Sequence, residues 1–192
     1  MPPASASPSD EALVIRTLAG DAAAFRTLVE RYEGQVAATV IGMLGPGADA
    51  EDVGQETFVR LYESLGRFRG DAALGTYLTR IAINQCLKHL RRKQSWMRRF
   101  VGESQLAAPL PDRPDPNAPD LSERDRDALV QRAVQALPAK HRSVVVLRML
   151  RELSTNETAE VLGVPPGTVM SRLSRALASL RGPLATLAPP AS

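Results

Sequence analysis

Apolar residues in this chain recur at three- and four-residue spacing in segment after segment, the period of helices that bury one face. Phe25, Leu28, Val29, Tyr32, Val36 and Val40 form the clearest early stripe, and Gly45, Pro46 and Gly47 end it. Before it a short helix is predicted over residues 9–20, with Gly20 placed to stop it and Asp21 placed to cap the next. Asp49 stands where an N-cap belongs for a third helix reaching about Leu65, with Glu51 and Asp52 in the first turn, where the helix dipole favours negative charge. After a loop over residues 66–71, Leu74, Leu78, Ile81, Ala82 and Gln85 mark a long helix that runs on into the basic residues 88–93. These elements predict one helical domain over residues 9–100.

The period then breaks. Residues 101–121 carry five prolines, four acids and one arginine with no apolar repeat, which predicts a mobile, mildly acidic linker. A second helical domain follows over residues 122–182. Ser122 and Asp125 open its first helix in the manner of a capping box, and Leu129, Ala133, Val134 and Leu137 give that helix its apolar face. Pro138 suits the first turn of another helix, with Val144, Val145, Leu147 and either Met149 or Leu150 facing the core. Residues 1–8, with three prolines, and residues 183–192 read as tails, the first of them disordered. The expected fold class is therefore all-α, two small helical domains joined by a flexible linker.

The sharpest local signal lies in the second domain. Ser154 and Glu157 form an S-x-x-E capping box, Gly163 sits where a helix end wants a left-handed residue, and Val164, Pro165 and Pro166 restart the chain. The next helix places Val169, Leu173, Ala176 and Leu180 on one face. Short helix, glycine turn, amphipathic helix is the order of a helix-turn-helix, whose second helix enters the major groove of DNA. Its outward residues here are Thr168, Met170, Ser171, Ser174 and Arg175, with Arg172 within reach of phosphate.

Composition removes several functions. One cysteine, Cys86, excludes an internal disulfide and a cysteine-based zinc cluster, and reads as a small apolar residue inside a helix. His89 and His141 lie far apart with no ligand spacing, so neither a metal nor a cofactor is expected; both read as surface or helix-flank residues. There is no P-loop, no paired carboxylates with a partnering base, and no Ser, His and Asp constellation, so no catalytic residue is expected, nor a small-molecule substrate. No apolar run approaches the roughly 18 to 20 residues of a membrane span, and the first residues lack the regions of a signal peptide; a cytoplasmic location without membrane insertion is expected.

The net charge is only +3, but its distribution matters more. Between Arg67 and Arg99 there are nine basic residues and one acid, Asp71. Such a run is either a solvated helix face or a phosphate-binding surface, and its length and one-sidedness favour the second.

Two stretches narrow the function. The segments AEDVGQETFVRLYESLGRFRGD and TYLTRIAINQCLKHLRR closely resemble the second conserved region of bacterial RNA polymerase sigma factors of the extracytoplasmic function (ECF) group. The segment LPAKHRSVVVLRMLRELSTNETAEVLGVPPGTVMSRLSRAL resembles their fourth region. The resemblance implies two helical domains that bind core polymerase and promoter DNA, one at the β′ clamp and the other at the β flap. It also implies an anti-sigma factor that covers the polymerase-binding faces, and a linker that threads toward the RNA exit path.

By resemblance, Asp52, Gln55, Glu56 and Phe58 match the helix that docks on the β′ clamp; an acidic helix start beside an exposed aromatic suits a partner helix. Read without the family, the same residues are dipole-complementing acids and a core phenylalanine. Phe68 and Arg69 match the loop at the upstream edge of the melted -10 element, and Asn84 the asparagine that helps hold a flipped base. Without the family, Phe68 plugs the core and Asn84 is an idle helix residue. Arg80, Lys88, Arg91 and Arg92 would grip nearby phosphates. The -35 contacts map onto Met170, Ser171, Arg172, Ser174 and Arg175. Tyr77 stands where the family usually has tryptophan, and Met170 and Ser174 stand where basic or bulkier residues are common. Arg175, Arg172 and backbone amides at the helix start are therefore expected to carry more of the -35 binding.

Two other classes fit the residues alone: a stand-alone helix-turn-helix regulator that dimerises on a palindrome, and an interaction module whose basic surfaces bind acidic proteins. A requirement for core polymerase separates the first from a sigma factor, and loss of every DNA effect would favour the second.

Overall fold

The computed structural model describes residues 7–70, 72–101 and 122–187, which form eight α-helices and no strand. The tails expected at residues 1–8 and 183–192 and the linker expected at 101–121 fall wholly or in part outside the described residues.

The first domain is built around one long central helix. α1 (Asp10–Leu18) starts where Ser9 accepts a hydrogen bond from the Ala12 N–H at 3.2 Å. α2 (Ala22–Leu44) starts at Asp21, whose carboxylate accepts from the amides of Ala23 and Ala24 and also meets Arg16 at 2.7 Å, so its pKa is held below the usual range, chiefly by Arg16. α3 (Ala48–Ser64) ends in a 3₁₀ turn (Leu65–Arg67), and α4 (Leu74–Val101) closes the domain. α2 packs against α1, α3 and α4. Leu13, Leu28, Val36, Val40, Leu61, Leu78, Ile83 and Cys86 are sealed between them, each large aliphatic worth about 1.5–3 kcal/mol of transfer free energy.

One cap differs from the sequence expectation. Gly47, with φ 130°, holds the N-cap position of α3, and Asp49 lies inside the first turn. Its carboxylate is used elsewhere, on Lys93 Nζ of α4 at 2.7 Å.

In the second domain α5 (Glu123–Ala136) begins at Ser122, which accepts from the Asp125 N–H and donates to the Asp125 carboxylate. Pro138 is the N-cap of α6 (Ala139–Val145) rather than a residue of its first turn, and the helix continues as a π-helical turn (Val146–Leu150). Val146 and Leu147, the first residues of that wider turn, are buried. Met149 and Leu150, one of which was expected inward, are both 48% exposed. α7 (Thr155–Leu162) and α8 (Pro166–Arg181) complete the domain.

The two domains touch directly. The end of α2 meets α5, α6 and the π turn, while α7 lies on α4. The last-turn carbonyls of α2 at Ile41, Gly42 and Met43 accept from Gln131 Nε2 at 2.9 Å, Gln135 Nε2 at 2.9 Å and Arg142 Nη1 at 2.6 Å. Carbonyls at a helix C-terminus run short of intrahelical donors, and here the other domain contributes them, at Ile41 in addition to the Gly45 N–H at 2.8 Å. Gly42 permits the approach: a Cβ there would stand 3.0 Å from Val146 Cγ1.

Candidate nucleic-acid interface

α4 divides its residues cleanly by face. Leu78, Ala82, Ile83 and Cys86 are buried, whereas Arg80, Asn84, Lys88, Arg91 and Arg92 are exposed along the opposite side, at four- and three-residue steps. The acid-free stretch after Asp71 thus becomes one cationic stripe with an amide in its middle. Arg91 Nε donates to the Leu87 carbonyl at 3.1 Å, which holds its stem along the helix. Lys93 turns away to Asp49, whose pKa is held below the usual range first by this Lys93 hydrogen bond. His89, half-buried, stands 3.3 Å from the same carboxylate; His141 is half-buried as well, so neither is a plain surface residue.

Phe68 is half-buried, its ring centroid 5.2 Å from that of Tyr77 at a 47° tilt. The loop carrying it turns through Gly70 at φ 74°, and Arg69 is exposed. Tyr77 and Asn84 are seven residues apart on α4, two helical turns, so they share a face about 10 Å apart along the axis. The aromatic pair and the amide therefore border one surface, with Arg80 between them. Tyr77 belongs to this surface although the sequence marked it only as a departure from a pattern.

On α3, Asp52 and Gln55 are exposed, but Glu56 accepts from Arg60 Nε at 2.8 Å. A cleft of about 340 Å³ between α3 and α4 brings Asp52 and Glu56 opposite Lys88 and Arg92. Phe58 is not the exposed aromatic expected there. It packs against the core and, with Phe25, floors an apolar cleft of about 450 Å³ whose rim is Val59 and Tyr62. Tyr62 is the exposed aromatic, edge-on to Phe25 with centroids 5.0 Å apart. Its position one turn after Phe58 was visible in sequence, but which of the two faces outward depends on where α1 and α2 lie.

The helix-turn-helix forms as its local signals require. The Ser154 hydroxyl accepts from the Glu157 N–H at 3.2 Å, and the Glu157 carboxylate accepts from the Ser154 N–H at 2.8 Å; this pairing with Ser154 lowers the Glu157 pKa. Gly163 is left-handed at φ 61° and ψ 40°, and Val169, Leu173, Ala176 and Leu180 are buried. Met170, Ser171, Ser174 and Arg175 are exposed, while Thr168 and Arg172 are half-buried. Ser171 Oγ donates back to the Thr168 carbonyl at 3.1 Å, and Met170 Sδ lies 3.7 Å from Thr155 Oγ1. Pro166 has no N–H, and the amides of Thr168 and Val169 donate to the Pro165 carbonyl. Gly167 is the amide left open in the first turn, so the backbone offers one donor there rather than a set.

Among the described residues no three His, Cys, Asp or Glu side chains converge to hold a metal, and no helix is long and apolar enough to cross a membrane.

The chain matches the family models Sigma-70 region 2 over residues 28–105 and Sigma-70, region 4 over residues 121–180. It is 37% identical over 174 residues to the ECF RNA polymerase sigma-E factor of Escherichia coli, covering 88% of this chain and 90% of that relative. The chain belongs to the ECF group of RNA polymerase sigma factors. The RNA polymerase sigma-H factor of Pseudomonas aeruginosa is 34% identical over 177 residues, covering 87% of this sigma factor and 89% of its own length. Among solved structures, CnrH in complex with the cytosolic domain of CnrY superposes with a TM-score of 0.66 at 26% identity, covering 93% of this chain and 99% of that one. The sigma factor RpoE from Bartonella quintana, solved with the anti-sigma factor NepR, has a TM-score of 0.65 at 22% identity over 84% of this chain and 96% of its own, a likeness of fold. Region 2 thus spans the bundle with the cationic stripe, and region 4 carries the helix-turn-helix.

Proposed function

We propose that this sigma factor directs core RNA polymerase to specific promoters and starts transcription there, serving a stress or envelope-response regulon under anti-sigma control. The observation that carries the reading is the pairing, in one chain of this family, of the exposed stripe on α4 with an exposed recognition helix α8. The stripe, with Phe68, Arg69, Tyr77 and Asn84 beside it, would take the -10 element. Arg172, Arg175, the Gly167 amide and the neighbouring Thr168, Met170, Ser171 and Ser174 would meet the -35 major groove.

Asp52, Gln55 and Glu56, with Val59 and Tyr62 replacing Phe58 as the apolar contact, would dock on the β′ clamp, and region 4 on the β flap. Every step is binding, and none makes or breaks a covalent bond. Unstacking a base costs a few kcal/mol, which contacts to the extruded base offset. Phe68 and Tyr77 offer it ring faces, Asn84 a donor and an acceptor, and the flanking cations neutralise phosphate.

The reading also demands movement. Elements at -10 and -35 are roughly 85 Å apart along B-DNA at 3.4 Å per base pair. A folded chain of this length has a radius of gyration of only about 16 Å. Regions 2 and 4 must therefore part from the packed arrangement before both elements are read together.

Run-off transcription with purified core polymerase on a pool of genomic fragments tests the proposal. New start sites sharing two upstream elements are expected when the protein is added. Failure to bind core polymerase in a pull-down would overturn the reading in favour of a stand-alone regulator.

A further inference from the structure

The surface that α8 turns outward has two unlike flanks. Around the buried line of Val169, Leu173, Ala176 and Leu180, Arg172 and Arg175 fall on one side; Met170, Ser174 and Leu177 fall on the other, within about 60° of one another. The last three are all exposed, and their flank carries no charge before Arg181 at the helix end. It is also the flank beside α7. There the hydroxyl of Thr155, the first residue of α7, donates to Met170 Sδ at 3.7 Å.

Local structure holds both ends of that contact. The capping box of Ser154 and Glu157 sets the first turn of α7, and left-handed Gly163 sets the angle at which α8 leaves it. Methionine is unbranched and flexible, so a free side chain would lose rotamer freedom on meeting a partner. Tied at its sulfur, Met170 has already given up part of that freedom. A thioether has no donor, and its weak acceptor is here engaged by Thr155. What Met170 has left to offer is apolar surface, and it keeps 54% of its surface exposed.

We infer that Met170 is a specificity-determining residue that reads the 5-methyl group of a thymine in the -35 element, with Thr155 as its positioning residue. The inference rests on the proposed reading of α8 as the -35 helix. The N-terminal residues of a recognition helix meet base edges, and Met170 lies in the second turn of α8. In the major groove guanine, cytosine and adenine present hydrogen-bonding atoms, whereas thymine adds a methyl group. A side chain with no donor and an engaged acceptor strips water from those polar atoms and returns no bond, which disfavours the other three bases. Against the thymine methyl it returns apolar contact. The opposite flank is under no such restriction, since Arg172 and Arg175 can reach phosphate or guanine.

The test uses holoenzyme reconstituted from core polymerase and full-length protein, on a promoter recovered by run-off transcription. Each thymine of the -35 element, on either strand, is replaced in turn by uracil, which removes the methyl group and leaves every hydrogen-bonding atom of the base. One such template binds wild type about fourfold more weakly, the worth of one buried methyl group. Met170→Ala binds the thymine and uracil templates alike, at that lower level. Thr155→Val shrinks the uracil effect and Thr155→Ser restores it. In Met170→Leu, which keeps apolar surface but has no sulfur, Thr155→Val changes nothing further. Equal wild-type binding on every uracil template, or a -35 element without thymine, would overturn the inference; a loss in Met170→Ala would then place the side chain on the sugar backbone. Persistence of the uracil effect in Met170→Ala would overturn it too, giving the methyl to another residue. A full uracil effect in Thr155→Val would remove Thr155 from its role. Unchanged wild-type binding after the whole -35 element is scrambled would instead sink the -35 reading of α8.

Discussion

Arg142 Nη1 in α6 donates a 2.6 Å hydrogen bond to the Met43 carbonyl at the end of α2, 99 residues away in the chain. The same nitrogen reaches Gln135 Oε1 at 2.9 Å, and Nη2 donates to the carbonyls of Gln135 and Leu137. Arg142 is only 8% exposed, and burial pulls its pKa below the usual value. Carbonyl dipoles, rather than a carboxylate, replace the water the guanidinium gave up. This one side chain ties region 4 to itself and to region 2.

Arg142→Ala leaves several buried carbonyls without a donor, each at about 1–3 kcal/mol. A stability loss of about 3 kcal/mol or more is expected in urea unfolding. Arg142→Lys keeps the charge but cannot span the same acceptors, and should recover only part of the loss. A variant as stable as wild type would show that these bonds contribute nothing net.

Gly42 separates the interdomain packing from the folding of region 4. A glycine inside a helix costs about 1 kcal/mol relative to alanine, so a side chain at position 42 would favour α2 in isolation. Against region 4 it meets Val146 Cγ1 and Cγ2 at 3.0 and 3.1 Å and Leu150 Cδ1 at 3.2 Å. Gly42→Leu should therefore drive the domains apart with helix content retained. X-ray scattering is expected to give a larger radius of gyration, and run-off transcription with core polymerase should be kept or raised. Unchanged compact scattering would mean that the packing tolerates the side chain.

The pH dependence of stability has a sign fixed by Cys86. Burial pushes its thiol pKa up to about 12. The unfolded chain ionises this thiol first as pH rises, at about 8.5, while the folded chain holds the proton. Its stabilising contribution is complete below that unfolded value and is lost as pH climbs toward the folded one. Tyr32 shifts in the same direction, to about 12, by burial and then by Asp10. Urea midpoints of wild type should therefore fall through the alkaline range, and those of Cys86→Ala less steeply, with Tyr32 common to both. Parallel curves would place the thiol in contact with water.

How much of this was legible depends on how local each signal is. The Ser154 box, the Gly163 turn and the stripe from Val169 to Leu180 are set by neighbours within a few turns, and each formed as read. The exposed face of α4 was equally plain. The partner of Arg142 was not, since an arginine in an amphipathic helix reads as surface until a segment 99 residues away covers it. One overlooked signal was Gly42, in a helix interior between Ile41 and Met43, where a glycine marks close approach. Phe58 and Tyr62 are one turn apart, and only the placement of α1 and α2 decides which is sealed.

That distinction makes α3 testable. Phe58→Ala removes a ring packed on the core and should lower stability by about 2–4 kcal/mol, given its half-burial. Tyr62→Ala and Val59→Ala should leave stability within about 1 kcal/mol yet weaken core polymerase in pull-down titrations. Asp52→Ala with Gln55→Ala should weaken it too, without touching the fold, as both are exposed. Wild-type affinity in all three exposed variants would move the clamp interface off α3.

On the recognition helix, two neighbouring polar residues should behave oppositely. The Ser171 hydroxyl is already committed to the Thr168 carbonyl at 3.1 Å, so it offers DNA an acceptor but not its proton, and Ser171→Ala should change -35-dependent binding little. Arg175 is exposed one turn further along, with no carboxylate holding it among the described residues. Arg175→Ala should cost about 1–3 kcal/mol of promoter affinity. Holoenzyme titrations on templates with and without the -35 element read both effects. Only a weakening confined to the complete template assigns Arg175 to that element; the same weakening on both would place it on DNA elsewhere, and the reverse ranking of the two variants would turn α8 about its axis.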